Sequence, residues 1–451
     1  MMVMRKLLLL CFIAFIAFGA SAQNPVVLSL DSCFALAKAN NAELKMNKLE
    51  IEKAHQVKAQ IFTKYFPQVS ASYSAFYAFN PLIRITVDDI GSEEFSSFIQ
   101  ELINVLNSEE VNADIPSNID MMQNGSSVNA MLVQPVYAGG RIVNGNRLAN
   151  LGVQAAELKA HVSERDIIES VESSYYLVLG LQMKVKTITE ALSTVDSIDK
   201  MVKTAIDAGV VTKADALQVA LKRNEFIALN LKLNNGITLA SKLLCHQIGI
   251  EYPEEGIILE DTIENEKDKS FEQNEDFSRP EMALLQMQID AEVLRKKLTL
   301  GEALPTVGFG ATVFYGNMVY KGFSGNGLLF ARVSVPISAW WEISHKLKEH
   351  DIKIQQAELM REDLTGKMLL QEEQALNQMV EAQALLDSDY AALEMAKENY
   401  RIASLNYNAG LNTLAEVLQA NALLLQAENA ITDRQITYLT ARRRYHDLTG
   451  R

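Results

Sequence analysis

The stretch Tyr-Asn-Ala-Gly-Leu-Asn-Thr-Leu-Ala-Glu-Val, residues 407–417, decides the fold, because two helical patterns meet within it. Gly410 suits the left-handed residue that follows a helix end. Thr413 and Glu416 have the spacing of a capping box, in which the first turn of a helix satisfies its own free backbone donors. The stretch is therefore predicted to be a tight turn between two helices.

The same pattern of a glycine followed by a capping box occurs in the first half of the chain, where Gly209 is followed by Thr212 and Asp215. Both the glycine and the threonine recur 201 residues later, in the stretch described above. We therefore expect an internal tandem repeat in which each half contains a long helical hairpin bent at its turn.

Very long helices lead into both turns. The apolar pattern predicts long helices over 142–206 and 343–407, and return helices over 213–248 and 414–448. Each long helix would be about 98 Å long at 1.5 Å per residue. Helices of ordinary globular proteins rarely exceed about 20 residues, so this length indicates a coiled coil or a helical barrel.

A different period follows Pro67, where the apolar residues change from helical spacing to strict alternation. This alternation predicts a strand over 66–80, and the same pattern after Pro305 predicts a strand over 304–316. The apolar faces of these strands are Val69, Ala71, Tyr73, Ala75 and Tyr77, and Val307, Phe309, Ala311, Val313 and Tyr315. Because a slip of one residue would invert such a face, the shared register supports the repeat.

Each of these strands is followed by another, predicted over 127–137 and 327–338. The offset between the halves falls from 238 residues at the first strands to 201 at the second, so the first half carries 37 extra residues. They lie in residues 81–126, an acidic stretch in which apolar residues keep helical spacing over 95–106. We expect this loop, with a short amphipathic helix, to lie outside the cell.

Shorter elements complete the two halves. Helical spacing predicts two consecutive helices over 29–64 and one helix over 280–302. Residues 250–277 are rich in Glu and Asp and are predicted to form an exposed, acidic connector. The expected domain organisation is thus a first repeat over 23–249 and a second repeat over 278–451.

The first 22 residues have the form of a signal peptide. Arg5 and Lys6 precede an apolar run over 7–18, and Ala20-Ser21-Ala22 is a cleavage pattern. No later run reaches the roughly 18 apolar residues of a transmembrane helix. If the exported chain crosses a membrane, it must therefore do so with strands.

Charge and cysteine content narrow the class of protein. The net charge is −14, or −16 once Arg5 and Lys6 are removed, which makes the chain a poor candidate for binding nucleic acid. Cys33 and Cys245 remain after export. They are expected to be two buried thiols or, in an oxidising compartment, a disulfide.

The sequence contains no recognisable catalytic arrangement, so no enzymatic activity, metal or cofactor is expected. His345 and His350 are five residues apart and do not share a helix face. Gly308 and Gly310 lie within a predicted strand and not in the strand-to-helix turn of a nucleotide-binding loop.

Each of the four predicted strands has about ten residues, which is the length of an outer-membrane strand. The smallest outer-membrane β-barrels, however, need about eight strands. An open sheet edge is not tolerated in lipid. Several copies must therefore pool their strands, with two copies giving eight and three giving twelve. The alternative is a soluble sandwich that exposes one face to water.

Over the whole exported chain, the sequence resembles the TolC family of outer-membrane efflux ducts. The resemblance rests on the opening Leu28-Ser29-Leu30-Asp31 with Asn40-Asn41-Ala42-Glu43-Leu44, on the twofold order of strands and long helices, and on both turns. It implies a homotrimer with a 12-stranded β-barrel, four strands from each chain, in outer-membrane lipid of a Gram-negative bacterium. A periplasmic α-helical coiled-coil barrel would continue from it.

The resemblance also implies a passive channel of a tripartite efflux or type I secretion system, which exports small molecules or proteins. Its tips would meet a periplasmic adaptor protein that links it to an inner-membrane pump. Gly209, Val210, Gly410 and Leu411 match the tip residues that adaptors grip, although glycine would end a helix in any case.

Candidate gate residues follow from the same resemblance. Glu416 matches an acidic residue that rings the closed end of the tunnel, with Asp215 as its repeat equivalent, and Tyr407 matches a tyrosine of the closing network. Asn412 and Gln419 stand where the family carries a basic residue and a second acidic residue, so a salt-bridge lock is not expected. The simpler reading is that Glu416 only caps a helix.

Arg332 alternates with the apolar residues of its strand and is predicted to face the barrel lumen, where it would either tune selectivity or simply be solvated. The Ser, Gly and Thr residues of the polar strand faces favour a water-filled lumen and hence a conduit. The second hypothesis is a periplasm-spanning structural or adhesive outer-membrane protein without an open pore.

Overall fold

The computed structural model describes residues 26–86, 97, 118–121, 123–207, 212–260, 279–317 and 324–450. The predicted signal peptide, most of the 81–126 loop with its predicted helix, residues 261–277 of the connector, and the tip residues Gly209 and Val210 lie outside the described residues.

Within those ranges the chain forms seven α-helices of very different length. They are α1 Leu30–Asn40, α2 Ala42–Phe62, α3 Arg141–Asp207, α4 Lys213–Ile248, α5 Pro280–Glu302, α6 Ala339–Asn408 and α7 Leu414–Thr449. The helices α3 and α6 have 67 and 70 residues, and their ends lie within four residues of the predicted ones. In the described part of the chain, no helix is both long and apolar enough to cross a membrane.

In the part of the chain that the structure describes, eight strands form three sheets. The strands are β1 Val26–Leu28, β2 Gln68–Tyr77, β3 Ile83–Thr86, β4 Asn118–Met121, β5 Asn124–Ala138, β6 Ile257–Leu259, β7 Thr306–Gly316 and β8 Ser324–Ser334. Two of the sheets have two strands each, β1 with β6 and β3 with β4. The third, the main sheet, has four strands in the order β2-β5-β7-β8. The strand β8 ends before the predicted 338, because Pro336 cannot donate to a ladder and its carbonyl accepts from Ala339 at 3.1 Å in the turn that opens α6.

The chain divides into two compact units. The first comprises residues 1–53, 154–288 and 357–451, and the second comprises residues 54–153 and 289–356. Each unit draws segments from both predicted repeats, so the division by compactness cuts across the predicted division by repeat.

The core of the first unit packs α1 against α3 and α4. Its fully buried side chains include Ala37 of α1, Tyr175 of α3 and Leu244 of α4. Cys33 and Cys245 lie in the same core and are not joined in a disulfide, which agrees with the alternative of two buried thiols.

Part of the predicted exposed connector is buried, which corrects that prediction. Ile257 and Leu259 of β6 are only 5% and 7% exposed. The strand β6 pairs in parallel with β1, with Leu28 opposite Leu259, and the two strands close one side of the first core. A run of three apolar residues is too short to show the alternation of a strand. The sequence pattern therefore predicted neither β1 nor β6.

The second unit contains the four-stranded sheet, the C-terminal parts of α2 and α5, and the N-terminal parts of α3 and α6. The turn from β5 into α3 passes through Gly139, whose φ of 64° favours glycine. A Cβ atom at Gly139 would lie 2.3 Å from the carbonyl oxygen of Gly301, so the backbones touch at these two glycines. Trp340 Nε1 donates to the carbonyl of Ala303 at 2.8 Å and fixes the start of α6 beside the end of α5.

Candidate functional site

Backbone hydrogen bonds close the turn between α6 and α7. The N–H of Leu411 donates to the carbonyl of Asn406 at 2.8 Å, and the N–H of Gly410 donates to the carbonyl of Tyr407 at 3.0 Å. Gly410 has a φ of 74°, the left-handed conformation predicted for it. At the point of the turn the side chain of Leu411 is 76% exposed, so the chain presents an apolar residue to its surroundings there.

Both return helices begin with the predicted capping box. The N–H of Thr413 donates to Glu416 Oε2 at 3.0 Å, and the N–H of Thr212 donates to Asp215 Oδ2 at the same distance. Thr212 Oγ1 also donates to this Asp215 oxygen at 2.7 Å. The capping role predicted for Glu416 is therefore confirmed, whereas its role in a ring of charges stays a prediction.

Within the first unit, one apolar core joins the described parts of the two long helices and the two return helices. It takes buried residues from four helices: Ile188, Ala191, Val195, Ile198 and Val202 of α3, Val219 and Phe226 of α4, Ala403 of α6, and Leu414, Val417, Leu418, Ala420 and Leu425 of α7. Tyr407 packs against this core and is half-buried. Burial raises the pKa of Tyr407, and the negative charge of Asp215 raises it further.

The structure thus brings two of the predicted gate residues together, Tyr407 of the second turn and Asp215 of the first. The other three are arranged differently. Asn412 is half-buried and its N–H donates to the carbonyl of Asn406 at 3.4 Å, while Gln419 and Glu416 are exposed on the first turns of α7.

The main sheet carries a continuous apolar face. Residues that pair directly across antiparallel strands share a face, and the register aligns Val69, Leu132, Ala311 and Leu329 in one row. Tyr73, Val128 and Tyr315 form another row on this face. The side chains of Val69 and Leu329 are 72% and 82% exposed, so the face is apolar but uncovered within one chain.

The two outer strands of this sheet have free edges. Among the described strands, β2 pairs only with β5, and β8 pairs only with β7. Each edge therefore carries a row of backbone N–H and C=O groups without a strand partner in the described chain. Such edges are templates for pairing with another strand.

Arg332 lies on the opposite face of the sheet, paired with Gly308, and its side chain is exposed. It is the sole Asp, Glu, Lys or Arg in the strands β2, β5, β7 and β8. Six large apolar side chains share this face and were not singled out from the sequence: Phe76, Met131, Val133, Phe314, Leu328 and Phe330. They could have been identified from the sequence, because residues two apart on a strand lie on the same face, and Arg332 and Asn129 mark this face on β8 and β5.

A cleft of about 470 Å³ between α3, α6 and α7 was also missed. Its lining includes Glu172 and Arg443, whose Oε2 and Nε atoms lie 3.5 Å apart. Glu172 is 8% exposed, and burial raises the pKa of its carboxyl against the opposing attraction of Arg443. Across the described ranges, no cluster of three or more His, Cys, Asp or Glu side chains is arranged to hold a metal ion.

Several solved structures share this fold. The outer membrane channel CmeC of Campylobacter jejuni has a TM-score of 0.75 at 16% identity, covering 93% of this chain and 85% of that one. VceC, an outer membrane protein of Vibrio cholerae, has a TM-score of 0.70 at 15% identity, covering 93% and 96%. The open state of the Neisseria gonorrhoeae channel MtrE has a TM-score of 0.65 at 16% identity, covering 93% and 88%.

Sequence comparison adds the family. No curated protein sequence matches the chain. Residues 278–451 match the family model described as outer membrane efflux protein. Residues 278–451 therefore belong to the outer membrane efflux protein family, and this match, together with the fold that 93% of the chain shares with outer-membrane channels, agrees with the resemblance of the whole sequence to the TolC family.

Proposed function

We propose that three copies of this chain form a passive conduit through which an inner-membrane pump, acting through a periplasmic adaptor, exports small molecules or proteins. Each copy contributes the strands β2, β5, β7 and β8 to a 12-stranded barrel. The long helices of the three copies form the tunnel that leads to it. The two tandem repeats of the chain supply equivalent hairpins to this tunnel.

The proposal rests mainly on the main sheet, because this sheet has one exposed apolar face and two edges that pair with no other described strand. In an outer membrane the apolar face suits lipid, but open edges are not tolerated there. The strands alternate in direction, so β8 of one copy is antiparallel to β2 of the next and can pair with it. Pooling the strands of three copies then closes a barrel with an even number of strands.

The turns supply the proposed entrance and the docking site for the adaptor. Leu411 is apolar and 76% exposed beside Gly410, which leaves it free to contact a partner helix. Gly209 and Val210 would provide the equivalent contact at the first turn. Glu416 would ring the entrance, and the uncharged Asn412 would leave packing and hydrogen bonds to hold it closed.

Electrical conductance of the purified full chain in planar lipid bilayers tests the conduit. We expect single-channel steps, because the polar strand faces would line a water-filled lumen. Protein that is assembled and inserted but gives no steps would favour the structural or adhesive alternative.

Ion selectivity tests which face of the sheet lines the lumen. Arg332→Gln should move the reversal potential towards cation preference, because it removes the positive charge from the lumen wall. Leu329→Gln is the matched control, since it lies three residues away on the opposite, apolar face. An equal shift in the two variants, or a shift only in the second, would refute the assignment of the faces.

A further inference from the structure

The face of the sheet that carries Arg332 is not uniformly polar. On β2 it presents Gln68, Ser70, Ser72, Ser74 and Phe76. On the other three strands the paired rows place large apolar side chains next to one another: Met131 and Leu328 flank Thr312 in one row, and Phe314 and Phe330 occupy the rows on either side. We call Met131, Phe314, Leu328 and Phe330 the wall patch.

The ring of Phe330 lies over a glycine in the neighbouring strand. A Cβ atom built on Gly310 would be 2.2 Å from Phe330 Cζ, so the ring occupies the space that a side chain of β7 would fill. The row of Gly310 and Phe330 lies between the row of Leu328 and the row of Arg332. Phe330 therefore stands between the rest of the wall patch and the arginine.

The rest of the wall patch is open to its surroundings. Met131, Phe314 and Leu328 are 41%, 42% and 59% exposed. Contiguous apolar side chains that remain exposed on an otherwise polar surface commonly mark a ligand-binding or interaction site. Where this face is in contact with water, covering these side chains with an apolar ligand lowers the free energy.

Charge selects the class of ligand. Arg332 stands two residues beyond Phe330 on the same face of β8, or about 7 Å along the strand. Within the described residues its guanidinium makes no ion pair or hydrogen bond. The four strands contain no carboxylate, so a bound anion would meet no competing negative charge from them.

We infer that the wall patch and Arg332 together form a binding site for amphiphilic organic anions, with an apolar ring system on the patch and a carboxylate or sulfonate on the guanidinium. Arginine holds such groups with charge-assisted hydrogen bonds that are stronger than neutral ones. This inference rests on the proposed function, because it takes the Arg332 face to line the lumen. It names the chemistry of molecules that the conduit would favour on their way out.

Isothermal titration calorimetry of the purified full chain in detergent tests the site with three probes. Naphthalene-2-sulfonate has the ring and the anion, methanesulfonate has only the anion, and 2-naphthyltrimethylammonium has the ring with a cation. We expect the first to bind more tightly than either of the others, by on the order of tenfold, because only it satisfies both the patch and the arginine. Equal affinity for all three probes would overturn the inference.

Matched variants separate the site from unspecific partitioning into detergent. Arg332→Gln and Leu328→Ser should each weaken binding of naphthalene-2-sulfonate about tenfold. Leu329→Ser, the neighbouring leucine on the opposite face, should leave the affinity unchanged. Equal losses in the two leucine variants, or no loss in Arg332→Gln, would overturn the inference. Arg332→Lys, which keeps the charge, serves as a second test if Arg332→Gln does not fold.

Conductance of the same preparation distinguishes this inference from the proposed function. A channel that conducts but binds the three probes alike would contradict the binding site and leave the conduit standing. A protein that binds naphthalene-2-sulfonate selectively through Arg332 but never conducts would contradict the conduit.

Discussion

Glu416 accepts a hydrogen bond from the backbone N–H of Thr413 at 3.0 Å, so the carboxylate expected at the entrance also caps the helix that positions it. The cap and the charge can be separated by substitution. Glu416→Gln keeps an acceptor at the capping position, so the free energy of unfolding should change by less than about 0.5 kcal/mol. Glu416→Ala removes the acceptor and should cost roughly 1 kcal/mol, measured by thermal unfolding.

The charge of Glu416 should appear in a different measurement. Three carboxylates around a narrow axis attract cations. Both Glu416→Gln and Glu416→Ala should therefore weaken the block of channel current by divalent cations added on the periplasmic side, although only the second loses stability. Current block that is unchanged in Glu416→Gln would leave capping as the only role of this residue.

The buried carboxyl of Glu172 should make stability fall as pH rises. Burial raises its pKa above the unfolded value of about 4.3, so the folded state binds more protons between these two pKa values. Its contribution is most favourable below the unfolded pKa and is lost as pH rises through the folded pKa. Glu172→Gln removes this loss, so the melting temperature of the variant relative to the native protein should be higher at pH 8 than at pH 4.5.

Glu381→Gln is the control for this pH dependence, because Glu381 lines the same cleft but is exposed. Its melting temperature relative to the native protein should vary much less with pH. If the melting temperatures of the two variants depend on pH in the same way, the burial of Glu172 does not determine how the stability of the folded chain varies with pH.

The two tryptophans offer a direct measurement of the membrane boundary. Trp340 and Trp341 are the only tryptophans of the chain, and Trp341 is 76% exposed at the start of α6. Tryptophan prefers the interface between lipid and water. In Trp340→Phe, the fluorescence of Trp341 should be quenched more by lipids labelled near the headgroup than by lipids labelled at the bilayer centre. Quenching by aqueous iodide alone would place this residue outside the membrane.

The long elements could be predicted from the sequence because each carries its period many times. In α3 and α6 the helical spacing recurs over 67 and 70 residues, and the turn chemistry of Gly410, Thr413 and Glu416 marks an end point. In the main sheet, alternation over ten or more residues identified the apolar face, since a register slip would have inverted it.

The remaining features depend on contacts that no local pattern records. β1 and β6 have three residues each and pair across more than 200 residues of chain. Glu172 and Arg443 come from helices α3 and α7, and the burial that sets the pKa of Glu172 arises only when those helices pack. The ring of Phe330 finds its place over Gly310 only once β7 and β8 are paired in register.

The mass of the intact assembly tests the central claim most directly, because both edges of the main sheet lack a partner among the described strands and the proposed conduit closes them with other copies. Native mass spectrometry of the full exported chain, released from mild detergent, should give a particle of three chains. Dilution in the same detergent should not release single chains before they unfold. A stable, folded monomer as the main species would contradict the account.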